Sequence, residues 1–247
     1  MEKLTLIIPA HNEEDVIIST LKDLIKKLTI PYKILVVDDH STDSTAKLVR
    51  KFMKNHKNVG FIGNYGVNRG FSSTLKMGFS KARSEFVLPV MADLCDDPRT
   101  INKMYKLLND NWDIVCGSRY MEGGTKKDGP KVQGFLSMFV CKSLYEITGV
   151  PTHDVSNAFK VYRKSVLDKV NIRNGAGVEI SMEITLQAFL KDAKITEIPT
   201  RWKGRTLGQS KFKIVQRSPK YVKIYSWAIW NSFRQKFGLK FESDYVY

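Results

Sequence analysis

The chain of 247 residues has no run approaching the roughly 18 consecutive apolar residues that a membrane-spanning helix needs. Near the N-terminus, Leu4 to Pro9 is apolar but too short for a secretory signal, and Asn12-Glu13-Glu14-Asp15 follows at once. The expectation is a protein that does not cross a membrane, although it can lie on one. Cysteine is scarce: Cys95, Cys116 and Cys141 are odd in number, widely spaced and without a CxxC pair. The four histidines do not fall at zinc-ligand spacing. A disulfide-stapled scaffold and a zinc module are thereby excluded, and a reducing, cytoplasmic setting is predicted. No G-x-G-x-x-G follows the first apolar run, and no G-K-[ST] phosphate loop occurs, which argues against dehydrogenases and P-loop enzymes. Acidic charge is in deficit, with 25 Asp and Glu against 40 Lys and Arg, a formal net charge of +15. Such an excess points to a polyanionic partner: nucleic acid, an anionic membrane or phosphorylated substrates. Charge alone does not choose among them, but no nucleic-acid-binding motif is recognisable, so none is expected as a partner.

The first half alternates apolar strands with amphipathic helices. Leu4–Pro9, Tyr32–Val37, Val59–Ile62, Phe86–Met91 and Asp113–Cys116 read as strands. Between them lie helical patterns, such as Val16, Ile17, Leu21, Leu24, Ile25 and Leu28 on one face. Continuous apolar strands alternating with helices predict an α/β fold with a mostly parallel sheet covered on both faces. The second half is less regular. Gly123–Pro130 reads as a polar loop, followed by helices at 135–147 and 180–190 and strands at 158–162 and 195–201. Residues 1–217 are expected to form a single domain, followed by a C-terminal amphipathic helix and tail over 218–247.

Right-handed crossovers put the C-terminal ends of parallel strands, and any ligand, on one edge. Asp38 and Asp39 end the second strand and Asp93 lies just past the fourth, so this edge gathers carboxylates. They can bind a metal or hydrogen-bond a sugar or base; alternatively, Asp39 and Asp43 cap the helix that follows.

Ile8-Pro9-Ala10-His11-Asn12-Glu13, Val36-Val37-Asp38-Asp39-His40-Ser41-Thr42-Asp43, and Asn68-Arg69-Gly70 with Gly78-Phe79 together resemble the inverting glycosyltransferases of the GT-A fold. Gly117-Ser118-Arg119-Tyr120, Asp154 to Lys160, and Arg205 to Lys211 resemble the branch of dolichyl-phosphate mannose synthases and polyprenyl-phosphate glycosyltransferases. The resemblance runs from Leu4 to about Lys211, and its specificity lies in the order and spacing of the motifs. It implies transfer of a hexosyl unit, mannose from GDP-mannose, onto a polyprenyl phosphate with inversion. It implies that Pro9, Glu13 and Asp39 hold the donor's base and ribose, that Asp93 binds Mg2+ or Mn2+, and that Arg119 meets the acceptor phosphate. Asp154 would sit beside the reacting sugar, while Arg205 and Lys211 neutralise donor phosphate charge. The sequence departs from the family at Met91, where the metal motif carries an Asp, at Cys95, commonly a Gln, and at Gln133, often a second Arg. A thioether is a poor ligand for a hard cation, so Asp93 is left as the expected protein ligand, with Asp96 and Asp97 close behind it.

Beyond Pro219, Val222, Tyr225, Ile229, Phe233 and Phe237 recur at three- and four-residue spacing, broadened by Trp227 and Trp230. Lys220, Lys223, Arg234 and Lys236 flank them. This pattern fits a helix lying on an anionic membrane at its cytoplasmic face, and equally a helix docking on the core. With no span before Tyr247, a peripheral anchor or a membrane-anchoring subunit is expected. The alternatives are a same-fold enzyme using a UDP-sugar or a saccharide acceptor, and a catalytically dead relative acting as a subunit.

Overall fold

The computed structural model describes residues 2–93, 95–172, 177–204 and 214–239, with the side chains of 214–218 set aside. Its first half follows the strand–helix alternation: β1 (Leu4–Ala10), α1 (Ile17–Lys27), β2 (Lys33–Asp38), α2 (Thr45–Met53), β3 (Val59–Gly63), α3 (Phe71–Lys81), β4 (Phe86–Pro89), α4 (Arg99–Lys106) and β5 (Ile114–Ser118). The second half comprises β6 (Thr125–Lys127), α5 (Lys131–Thr148), β7 (Lys160–Arg163), α6 (Lys164–Leu167), α7 (Ile180–Phe189), β8 (Ile195–Pro199), β9 (Arg201–Lys203) and α8 (Ile214–Lys236).

The main sheet has the order β3-β2-β1-β4-β7-β5-β8. Every pairing in it is parallel except those of β7, which runs antiparallel to both β4 and β5. Its core follows from the strand period of two. Leu4, Leu6, Ile8 and Ala10 of β1 pack with Ile17, Leu21 and Leu24 of α1 and Ile101 and Met104 of α4. Ile7 points the other way, to Leu75 and Phe79 of α3 and Ile180 and Ile184 of α7. Both faces are therefore covered, as the largely apolar runs require. Gly78 lets α3 come this close: a Cβ there would stand 2.4 Å from the Ile7 side chain.

One expectation needs correction, and one left open is decided. Gly123–Pro130 is not simply a polar loop, because β6 within it pairs in parallel with β9, Thr125 opposite Arg201 and Lys127 opposite Lys203. Its charged, part-exposed side chains hide a strand that backbone hydrogen bonds define. The C-terminal helix also docks on the core: Ile224, Trp227 and Ala228 are buried against Cys141 and Leu144 of α5 and Met182 and Leu186 of α7. Tyr225 and Ile229 are partly buried beside them, while Val222, Trp230 and Phe233, with Phe237 just past the helix end, stay more than half exposed. The docking reading thus accounts for one face of this helix.

Candidate active site

At the C-terminal ends of β1 and β2, short connections are stitched together by side chains. Glu13 N–H donates to Thr45 Oγ1 (2.8 Å), Ser44 N–H to Glu14 Oε2 (2.9 Å), and Glu14 N–H to Asp43 Oδ2 (3.1 Å). Asp43 also accepts from Thr45 N–H at the start of α2 (2.9 Å), so it serves the helix start. Burial works against its ionisation, but these hydrogen bonds hold its carboxyl below the usual range. Pro9 lies in β1 opposite Val37, next to this junction.

Asp39, the first residue past β2, is clamped. Its Oδ2 accepts from Gly70 N–H (2.8 Å), and its Oδ1 from Asn64 Nδ2 (3.1 Å) with His40 Nδ1 beside it (3.1 Å). Gly70 caps α3 with φ +97°, a conformation open to glycine, and this aims its N–H at the carboxylate. A carboxylate at a helix N-terminus is favoured by the helix dipole. Asp39 is therefore oriented before any ligand arrives.

The second group sits where β4 and β5 end. Asp154 is fully enclosed and takes a fork from Arg119: Nε to Oδ2 at 2.6 Å and Nη2 to Oδ1 at 2.8 Å, with the Arg119 backbone N–H adding 2.9 Å to Oδ2. Burial pushes the Asp154 carboxyl up, but the Arg119 guanidinium overrides it and holds the carboxyl below its usual value. Arg119 Nη2 also reaches Ser156 Oγ (3.2 Å), which lies 3.0 Å from Ser137 Oγ of α5. Behind this pair, buried Lys160 donates to the carbonyls of Val155 and Asn157, fixing the turn that carries Asp154. Desolvation lowers its pKa. Asp154, expected beside the reacting sugar, is paired with Arg119 and out of reach of solvent.

Asp93 is partly exposed and accepts from Cys95 N–H at 3.2 Å. Asp96 is buried, and among the described residues its Oδ1 has no hydrogen-bond partner. Burial pushes the Asp96 carboxyl up to about 7; Arg119 draws it down, and the charges of Asp93 and Asp154 add to the rise. Four ionisable groups thus share one small region: Asp93, Asp96, Arg119 and Asp154. Among the described residues no group of three or more His, Cys, Asp or Glu side chains is arranged to hold a metal ion. An orphaned carboxylate oxygen next to Asp93 does fit a cation that draws most of its shell from a ligand's phosphates and from water. Arg205 and Lys211 lie outside the described residues.

Ser156 and Lys160 lie within the Asp154-to-Lys160 motif but carried no role there, and Ser137 has no sequence signal. For Lys160 a further signal is its place between Phe159 and Val161 in an apolar strand, where a charge must find buried partners.

A parallel sheet with one reversed strand, and carboxylates gathered at its strand ends, define the GT-A class of glycosyltransferase folds. Solved structures agree: S. aureus TarS (residues 1–349), in complex with UDP-GlcNAc, superposes with a TM-score of 0.66 at 20% identity, over 92% of this chain and 66% of that one. Mannosyltransferase PcManGT from Pyrobaculum calidifontis, in complex with GDP-Man and Mn2+, does so at 0.61 and 16%, over 98% and 66%. The chain belongs to glycosyl transferase family 2, whose model matches residues 5–170. It is 30% identical to the dolichol-phosphate mannosyltransferase of Pyrococcus furiosus over 220 residues, which are 85% of this chain but 59% of that protein. It is 25% identical to the polyprenol monophosphomannose synthase of Mycolicibacterium smegmatis, over 92% of this chain and 88% of that one.

Proposed function

We propose that this protein transfers a hexosyl unit, mannose from GDP-mannose, to a polyprenyl phosphate with inversion at the anomeric carbon. The observation that carries the reading is the buried Arg119–Asp154 fork beside Asp93 and Asp96, on the same sheet edge as the clamped Asp39. The names of the Pyrococcus and Mycolicibacterium relatives support the acceptor and the sugar.

The acceptor chemistry suits these groups. A hydroxyl acceptor would need a general base, but a phosphate monoester is already largely ionised near pH 7. Asp154, held ionised and enclosed, is in no position to take a proton from an acceptor; it fixes Arg119 instead. The guanidinium, oriented in this way, meets the acceptor phosphate, while Asp39, Glu13 and Pro9 hold the donor's base and ribose. Asp93, with the orphaned Asp96 oxygen, would hold Mg2+ or Mn2+, which would offset charge on the leaving diphosphate. Arg205 and Lys211 are proposed to add positive charge to the same phosphates. Attack from the face opposite the leaving group then inverts the anomeric centre. The setting is the cytoplasmic face of a membrane, reached peripherally or through an anchoring subunit.

The test is incubation with radiolabelled GDP-mannose or UDP-sugars, a short polyprenyl phosphate and Mn2+, followed by organic extraction. Label extracted from GDP-mannose is expected, with loss of at least about tenfold in Asp93→Asn. Extraction from a UDP-sugar alone would overturn the donor, and no extractable label from any donor would favour a catalytically dead subunit. Calorimetry of Mn2+ is expected to show binding only when GDP is present.

A further inference from the structure

We propose that Lys126, with the Arg119 Nη1 hydrogens and the Tyr120 hydroxyl, forms the seat of a phosphate monoester dianion, and that Lys126 supplies its net positive charge. The proposal rests on the reading that the acceptor is a lipid phosphate, and it adds a contact residue to that reading.

The starting point is the ribbon of β6 and β9. Side chains alternate along a strand and paired residues share a face, so Lys126 and Trp202 stand together on one side of it. The other cations of the ribbon, Lys127, Arg201 and Lys203, are exposed, whereas Lys126 is half-buried. Its ammonium lies over the Trp202 ring, 5.3 Å from the centroid. A Cβ at Gly134 of α5 would stand 3.2 Å from that ammonium, so the glycine leaves it room. In turn, β9 is laced to the loop that carries Asp96: Asp97 N–H donates to Arg201 O at 3.0 Å, and Lys203 N–H to Cys95 O at 2.8 Å. Lys126 is thus held on a paired strand, not on a free loop.

A cation removed from water needs an acid. Among the described residues Lys126 makes no ion pair, and what it faces is another cation. Burial lowers its pKa, the Arg119 charge lowers it further, and Asp154 opposes them. Asp154 is already committed to Arg119 through the fork and the backbone N–H. That pair by itself offers an anion hydrogen bonds but no net charge. Lys126 is the uncompensated charge of the group.

Two further donors wait beside it. Arg119 spends Nε and Nη2 on Asp154 and Ser156, while among the described residues its Nη1 has no partner. Next to the guanidinium stands Tyr120, its ring centroid 5.0 Å away, whose buried hydroxyl has no hydrogen-bond partner among the described residues. An ammonium, a guanidinium arm and a hydroxyl on three side chains suit a tetrahedral phosphate, with three acceptor oxygens and close to two charges. A carboxylate is planar, carries one charge and has one oxygen fewer.

The test is calorimetry of the full chain with farnesyl phosphate, farnesol, inorganic phosphate and GDP, for wild type, Lys126→Met and Lys126→Arg. Met keeps the apolar stem on Trp202 and removes the charge. Wild type is expected to bind farnesyl phosphate, with inorganic phosphate competing for the same seat. Lys126→Met is expected to weaken farnesyl phosphate about 10- to 100-fold, the loss of one hydrogen bond between charged groups. Its binding of farnesol and GDP should match wild type, and Lys126→Arg should recover most of the loss. In turnover, Lys126→Met should raise KM for the lipid phosphate more than it lowers kcat. Without ligand it should melt at the wild-type temperature or above, since a desolvated, unpaired charge is gone. A marked fall in Tm would make Lys126 a structural residue and overturn the assignment. Equal farnesyl phosphate binding by wild type and Lys126→Met would overturn it too, as would a defect confined to GDP. Lys126-dependent binding of inorganic phosphate, with none of farnesyl phosphate, would leave the seat standing and sink the lipid acceptor. Transfer to a lipid phosphate with unchanged KM in Lys126→Met would sink the seat and leave the acceptor reading.

Discussion

Replacing Arg119 by Ala is expected to damage the fold as well as the chemistry. The side chain supplies two hydrogen bonds to a carboxylate that has no solvent access, and among the described residues Asp154 would keep only the backbone N–H of residue 119, its neighbour Ser156 and a weak thiol contact from Cys141 as hydrogen-bond partners. Breaking a buried ion pair from one side costs about 3–5 kcal/mol, because the partner charge is left uncompensated. For a chain of this size that corresponds to a fall in Tm of roughly 6–20 °C. Removing both charges, as in Arg119→Leu/Asp154→Leu, leaves nothing stranded and is expected to return stability to within about 2 kcal/mol of wild type. Transfer activity should not return with it. The pH dependence has a defined sign. Asp154 has a depressed folded-state pKa, so its pairing contributes stability above the ordinary carboxylate pKa, and that contribution is lost as pH falls through the folded value. Without Arg119 the same carboxyl is easier to protonate, so the gap between wild type and Arg119→Ala should narrow in acid. Thermal and urea denaturation of wild type, Arg119→Ala and Arg119→Leu/Asp154→Leu, at pH 7 and pH 4, measure the stability changes. An Arg119→Ala protein melting within about 2 °C of wild type at pH 7 would refute the reasoning, since a buried charge would then have been orphaned at no cost.

Asp96 has the opposite sign: its raised pKa gives a contribution fully present below the ordinary carboxylate value and lost as pH rises through about 7. Asp96→Asn should therefore exceed wild type in stability at pH 8, by up to about 4 kcal/mol without metal, and the difference should vanish near pH 4 in thermal melts. Trp227→Ala should cost about 3–5 kcal/mol, because that side chain is 6% exposed in the α5–α7–α8 core. Trp230→Ala, at 54% exposed, should change stability by less than about 1 kcal/mol; equal effects would mean that α8 is seated on another face.

The parallel half of the sheet was readable because Leu4–Pro9 and Tyr32–Val37 are apolar apart from Thr5 and Lys33, with Leu6–Ile8 and Ile34–Val37 unbroken, as strands buried on both faces are. The direction of β7 was not, since hydropathy carries no polarity along the chain and Lys160–Arg163 reads alike in both senses. The position of Asp39 at a strand end was legible, but its clamp depends on Gly70 and Asn64, brought close only by β3 and α3. Likewise, sequence placed Arg119 and Asp154 as separate candidates. Their union requires β5 and the turn before β7 to lie side by side, with Gly117 N–H donating to Phe159 O at 2.9 Å. The C-terminal helix was ambiguous because both of its long faces carry aromatic residues, and periodicity alone does not say which one meets the core.

The reversed strand has a consequence for how such a protein can diversify. Because β5 and β7 are antiparallel neighbours, paired from Ile114 opposite Tyr162 to Cys116 opposite Lys160, the chain leaves the sheet and re-enters it at adjacent points. Everything between, including β6 and α5, is an outgrowth on two closely spaced feet, and the Arg119–Asp154 fork laces those feet together across 35 positions of sequence. Residues can be added or removed within it without shifting the register of a single pair in the parallel half, where Asp39 sits. The segment from 120 to 153 can therefore vary independently of the Asp39 side of the sheet, provided that β6 keeps its pairing with β9 and α5 its packing on α7 and α8.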